Sequence, residues 1–157
     1  VYQYAKEHLP QYSKVLLAMR WGSQMPENSH SLAYDADFFK KFDLMLQKLS
    51  SEKQAVYLMI DNPNLSYNGL RAYILSYRIP RFSQNLAINE TVTSKGNERI
   101  KELAEKYANV HIIDATAYIP ENFKINGLPV YSDRDHINPY GGRELAKRFS
   151  EKHTLLQ

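Results

Sequence analysis

At 157 residues, with 43% apolar and 24% charged residues and only 6 Gly and 7 Pro, the chain has the composition of one globular domain able to bury a core. Its net charge of +3 comes from scattered basic residues, which argues against a nucleic-acid face, and no apolar run approaches the roughly 20 residues a bilayer crossing needs. The absence of cysteine excludes disulfides and thiolate zinc sites, and leaves the redox compartment open.

The chain opens on VYQYAKEHL, a helical pattern with neither an initiator Met nor a signal peptide, so a piece of something longer is expected. KVLLAMRW, residues 14–21, is a continuous apolar run ending at a polar corner and reads as a strand buried on both faces. After a loop, Phe38, Phe39, Phe42, Met45, Leu46 and Leu49 recur at helical spacing and predict an amphipathic helix over about 35–49. QAVYLMIDNPN is a second buried strand, ending at Asp61 with Pro63 blocking its continuation. Residues 66–94, rich in Tyr, Asn and Arg, give no clear period and are read as short helix mixed with loop. KGNERIKELAEKY sets Ile100, Leu103, Ala104 and Tyr107 on one helical stripe, and NVHIIDA follows as a third buried strand. A hairpin is expected around Asn126-Gly127. In the last helix Asn138 is the cap, Pro139 takes the first position, and Leu145, Ala146 and Phe149 face inward.

Alternating strands and helices predict one α/β domain over 1–157 with a mainly parallel sheet. In such sheets the functional crevice lies at the carboxyl ends of the strands, here Arg20-Trp21-Gly22, Asp61-Asn62-Pro63-Asn64 and Asp114. The stretch YSDRDHINPYGGREL can reach the same rim. A His acting as general base needs one ring nitrogen toward a nucleophile and the other bonded to an acceptor. Asp133, three residues before His136, can be that acceptor; Asp135 competes but is worse placed as the immediate neighbour. Taken alone, D-x-x-H is also an ordinary turn before a helix. Turn formation is the favoured role of Asp61, Asn62 and Asn64, and turn or cap that of Asp114. His111 is expected to pack within a strand, and His8, His30 and His153 to lie at the surface. A metal site is not expected, because Asp133 and His136 alone supply too few ligands. No phosphate-binding glycine motif and no cofactor signature occurs. The Tyr residues of SYNGLRAYILSYRIPRF suit either sugar stacking or cover for the sheet, with cover favoured.

YSDRDHINPYGGREL, lying before a C-terminal helix, resembles the last block of the SGNH (GDSL-type) hydrolase family, in which D-x-x-H supplies the Asp and His of a catalytic triad. KVLLAMRW, LMLQKLS, QAVYLMIDNPN and ERIKELAEKYANVHIIDA are similar to SGNH domains fused to membrane acyltransferase-3 proteins. In those domains a strand closing in Arg-Trp stands where typical members carry G-x-N-D. The resemblance implies a three-layer α/β/α sandwich of SGNH/flavodoxin-like type, N-terminally incomplete, with His136 and Asp133 catalytic and Arg20 or Trp21 on the substrate or oxyanion side. It implies acyl transfer through a Ser nucleophile, from an acyl donor to a glycan acceptor on a bacterial cell surface. A fused transmembrane acyltransferase domain and an extracytoplasmic location, tethered to the inner membrane through a missing N-terminal region, go with it. No nucleic acid is involved. The chain has no Gly-Asp-Ser, and Ser23 and Ser132 lack a Gly-flanked turn, so the nucleophile is expected outside these residues. An esterase acting on acylated glycans, and a glycan-binding or scaffold module without a nucleophile, are the alternatives.

Overall fold

The structure, a computed structural model, describes residues 7–30, 32, 34–51, 55–79, 88–89 and 93–153. In chain order these form β1 (Lys14–Ala18), α1 (Phe38–Ser51), β2 (Ala55–Met59), β3 (Asn64–Leu65), α2 (Gly69–Ser76) and β4 (Ile88–Asn89). There follow α3 (Thr93–Ala104), β5 (Val110–Ile113), β6 (Lys124–Ile125), β7 (Leu128–Pro129) and α4 (Pro139–Ser150). The chain divides into two compact units, Val1–Asp61 with Thr91–Asp114 and Asn62–Glu90 with Ala115–Gln157.

In the first unit the three apolar runs pair as a parallel sheet of order β1-β2-β5, with Val15, Val56 and Val110 in register. The order advances in one direction, so right-handed crossovers put the connecting helices on one face. The buried cluster agrees: Phe42, Leu46 and Leu49 of α1 and Ile100, Leu103 and Ala104 of α3 pack with Val56, Leu58 and Val110. Full burial of each large aliphatic side chain stabilises by about 1.5–3 kcal/mol, and this face supplies most of them. The parallel α/β arrangement matches the expected class.

One expectation is corrected. β1 is not buried on both faces, because Leu16 is 59% exposed while Val15 beside it is buried. Among the described residues β1 is an edge of the sheet, and α1 and α3 cover only the face that carries Val15. His111, on the same side of the sheet as Leu16, is likewise exposed and rests beside the Tyr57 ring at 5.4 Å.

The second unit is built on Leu65, Phe123, Ile125, Val130, Tyr131 and Leu145. The hairpin β6–β7 forms where Asn126-Gly127 predicted it, with both residues at positive φ (48° and 78°), the pair of angles that a tight two-residue turn requires. The last helix also starts as predicted, Gly141 N–H donating to the Asn138 side chain at 2.7 Å with Pro139 at the first position. Residues 66–94 contain the short helix α2, begun by Asn68, whose side chain accepts from Arg71 N–H at 2.8 Å.

Gly141 and Gly142 make an internal control. A Cβ on Gly141 would run into the Val130 carbonyl oxygen and lie 2.9 Å from Val130 Cα, whereas one on Gly142 meets nothing within 4 Å. Gly141→Ala is expected to lose about 1–3 kcal/mol through overpacking, and Gly142→Ala to gain about 0.5–1 kcal/mol in helix propensity. Urea unfolding of the two variants beside the parent measures both.

Candidate active site

Residues 131–137 form a loop whose ends are pinned before its side chains do anything. Tyr131 and Ile137 pair across it as an antiparallel bridge, and Ser132 N–H donates to the His136 carbonyl at 2.9 Å. Three successive carbonyls of the loop then accept from the segment 62–69. Gly69 N–H donates to Asp133 O at 2.8 Å, Leu65 N–H to Arg134 O at 2.6 Å, and Asn62 Nδ2 to Asp135 O at 2.8 Å. Beneath them Tyr131 is fully buried and its hydroxyl donates to Pro63 O at 2.9 Å. Burial pushes the Tyr131 phenol up to about 12, so it remains a neutral donor. A Cβ on Gly69 would lie 2.8 Å from Tyr131 Cβ and 3.2 Å from Asp133 O, so this approach requires glycine.

On that frame Asp133 divides its carboxylate. Oδ1 accepts from His136 N–H at 2.7 Å and from Asp135 N–H at 3.0 Å, which makes the turn. Oδ2 lies 2.9 Å from His136 Nδ1. The two backbone donors, His136 first, hold the Asp133 carboxyl far below the usual carboxylate range. The His136 side chain is 71% exposed, so its bond to Asp133 sits at the surface and is screened. Asp135 is closer to the ring than its adjacency in sequence suggested, with Oδ1 3.2 Å from Nδ1. The turn folds the chain back so that both carboxylates reach the same side of the imidazole.

Asp133, Asp135 and His136 thus bring three ligand atoms within 4.8 Å of one another. A divalent cation there would have to take Nδ1 from Asp133 and would stand largely in water. The hydroxyl of Ser132 donates to His136 O at 3.0 Å, and that of Ser23 to Arg20 O at 2.7 Å; each is bonded to a backbone carbonyl.

Arg20 and Trp21 belong to the first unit. Trp21 is 1% exposed, packs against Phe42 at 5.2 Å between ring centroids, and donates its indole N–H to Met59 O at 2.7 Å. Its one polar donor is therefore committed to the sheet. Arg20 is exposed at the start of the same turn. Asp61, two residues beyond β2, closes this turn: its Oδ2 accepts from Gly22 N–H at 3.2 Å, and burial raises its carboxyl above the usual range. Asn97 on α3 fixes the Asp61 backbone from both sides, accepting from its N–H at 2.8 Å and donating to its carbonyl at 2.9 Å. Asp114 lies 3.9 Å from Lys101, a loose surface pair.

Sequence reasoning singled out Asp133 and His136 but undervalued Asn62 and missed Gly69 and Tyr131. The sequence favours a turn role for Asn62, whereas its side chain holds a loop carbonyl 73 positions away. The signal for Gly69 was present in Asn68-Gly69, a cap followed by the one residue that permits a close approach.

A family model described as SGNH domain (fused to AT3 domains) matches residues 1–151. The periplasmic domain of a lipopolysaccharide acetyltransferase from Salmonella ser. Paratyphi A is similar in structure, with a TM-score of 0.62 at 15% identity. The likeness covers 96% of this chain and 59% of that one, so the present chain spans well under two thirds of its neighbour. A structure described as a putative platelet activating factor from Streptococcus pneumonia matches with a TM-score of 0.54 at 16% identity, over 96% of this chain and 66% of that one. At these identities the likeness is one of fold, and both neighbours agree with the α/β class. No curated protein matches the chain. With the family model running over nearly its whole length, the chain belongs to the family of SGNH domains fused to AT3 domains.

Proposed function

We propose that residues 1–157 are the major part of one SGNH-like domain that O-acylates a bacterial cell-surface polysaccharide through a Ser-His-Asp acyl-enzyme. The observation that carries this is the 2.9 Å contact between His136 Nδ1 and Asp133 Oδ2 on a backbone-pinned loop, in a chain of this family. With Nδ1 so engaged, Nε2 is the atom left to act as base. The nucleophile is a Ser supplied by sequence outside these residues, since no Gly-Asp-Ser occurs among them. Its Oγ attacks the donor's acyl carbonyl as Nε2 takes the proton; collapse expels the donor's leaving group, which carries that proton away. A glycan hydroxyl then gives its proton to Nε2, attacks the acyl-enzyme carbonyl, and releases the Ser, reprotonated by His136. Arg20 is the substrate-side group of this reading, and Trp21 the packing residue that anchors its turn. The family name supports a fused acyltransferase partner and the printed description of the Salmonella neighbour an extracytoplasmic location; an inner-membrane tether completes the reading. Hydrolysis is the second reading, favoured by the 71% exposure of His136, which leaves the base open to water.

In the full-length protein carrying its nucleophile, His136→Ala is expected to lower turnover of an activated acyl ester by about 10²–10⁴-fold; undiminished activity would remove His136 from the mechanism. Asp133→Asn keeps an oxygen for the turn but presents an amide donor to Nδ1, so a loss of similar size is expected. Asp135→Asn leaves the 2.9 Å contact intact and should cost under about tenfold, which steady-state kinetics of the pair resolves. Added glycan that captures the acyl group, read by mass spectrometry, marks transfer; free acid alone marks hydrolysis.

Acidification separates the turn from the chemistry. Because the folded Asp133 carboxyl is depressed, the stability it adds is fully present above the ordinary carboxylate value of about 4, declines as pH falls below that value, and is gone once pH has fallen through the lower folded value. The backbone N–H resonances of Asp135 and His136 should therefore hold their positions while exposed carboxylates titrate. Movement of both amides in step with those carboxylates would contradict the assignment.

A further inference from the structure

Helix α2 is inside out. Its buried residues are Gly69 and Ala72, while Leu70, Ile74 and Tyr77 are 42%, 54% and 75% exposed. At 100° per residue, Leu70, Tyr73, Ile74 and Tyr77 fall within a sector of roughly 100°, the width of stripe by which a surface helix ordinarily faces its core. Here Leu70, Ile74 and Tyr77 face out, with Tyr73 half-buried at the margin of the stripe. The inward side must be small, because Gly69 lies so close to Tyr131 that a Cβ would come within 2.8 Å of Tyr131 Cβ. The exposed Tyr77 is therefore no cover for a sheet, the role the sequence favoured for this group of tyrosines.

The outward stripe has an ordered margin. The Tyr73 and Tyr77 rings meet edge-on at 5.2 Å and their hydroxyls lie 2.7 Å apart. The Arg71 guanidinium stands 6.0 Å from the Tyr67 ring centroid, and Lys124 Nζ 5.4 Å from that of Tyr73. Arg78 is exposed just past the helix, and the sequence SYNGLRAYILSYRI over residues 66–79 holds two Arg and no acidic residue. Aliphatic side chains beside tyrosines, with Arg71, Arg78 and Lys124 nearby, are complementary to an anionic lipid surface, where Tyr seats at the headgroup level. A protein partner is disfavoured by size. An eight-residue helix is about 12 Å long, so its stripe falls far short of the ~800 Å² per partner of a stable interface.

From these observations we infer that α2 is a membrane-contact element, laying Leu70, Ile74 and Tyr77 on an anionic bilayer with Arg71, Arg78 and Lys124 at its edge. The contact is independent of acyl transfer, since it needs no nucleophile, and a failure of either leaves the other standing.

Cosedimentation of the chain with vesicles of phosphatidylglycerol and phosphatidylethanolamine, and with phosphatidylcholine alone, tests it. Binding to the anionic vesicles is expected, weakened by added salt and about 25-fold weaker on phosphatidylcholine if two of the basic residues act at about fivefold each. Arg71→Gln with Arg78→Gln should lower partition by about 25-fold at about fivefold per arginine, and Ile74→Asp should abolish it. Circular dichroism checks that the variants fold; if Ile74→Asp does not, the arginine pair decides alone. Equal binding to both vesicle types, or binding unchanged in the folded variants, overturns the inference. So does self-association in sedimentation velocity that Ile74→Asp removes, which would make the stripe a contact between copies of the chain.

Discussion

The candidate base depends on three consecutive backbone carbonyls, those of Asp133, Arg134 and Asp135, each accepting a hydrogen bond from the segment 62–69. His136 is too exposed for packing to orient its ring, so the backbone beneath must do so. Three hydrogen bonds at a net of about 0.5–1.5 kcal/mol each fall short of the roughly 1–2 kcal/mol per residue that fixing the loop costs. The loop therefore also rests on the buried Tyr131, which sits under it with its hydroxyl bonded to Pro63 O. A phenol raised to about 12 by burial does not ionise at physiological pH, so this anchor keeps its proton and its bond.

The two readings of Asp133 weighed from sequence, turn residue and partner of a His, turn out not to compete. Oδ1 accepts the two amides that close the turn and Oδ2 meets the ring. A carboxylate is the side chain that can do both, having two acceptor oxygens and nearly four lone-pair directions. Asp135 adds a second carboxylate at 3.2 Å from the same nitrogen, but Nδ1 carries at most one proton, so the shorter Asp133 contact is the one that fixes the ring.

The first unit reaches a comparable result by burial instead of exposure. The turn at Trp21-Gly22 is gripped through Met59 O at the end of β2 and Asp61 Oδ2 two residues beyond, and α3 can lie against it only because Gly96 has no side chain, a Cβ there falling 2.6 Å from Gly22 N. Asp61 has its backbone sealed by Asn97 on both edges, so desolvation raises its carboxyl while the amide of Gly22 pulls the other way. The polar corner ending the first apolar run is thus a rigid piece of the sheet's rim, with Arg20 exposed at its start.

What the sequence made legible follows from what repeats in it. Helices α1, α3 and α4 carried apolar stripes at helical spacing, and each was found close to where the stripe lay. Asn126-Gly127 and Asn138-Pro139 were read through local backbone rules, which need no distant partner. β1 was overread because a continuous apolar run does not say how many faces of its sheet are covered, and here Leu16 faces out. α2 was obscured for the opposite reason: its inward side is Gly69 and Ala72, so its large residues report a face that the core does not own. The D-x-x-H spacing was local enough to read, but the groups that hold it are backbone amides and a side-chain amide from 62–69, joined to carbonyls that any residue would offer. A hydrogen bond from Asn62 to a carbonyl 73 residues on leaves no residue-type trace at its far end. The pinning of a candidate loop by backbone is therefore the part of such a site that composition and periodicity are least able to reveal.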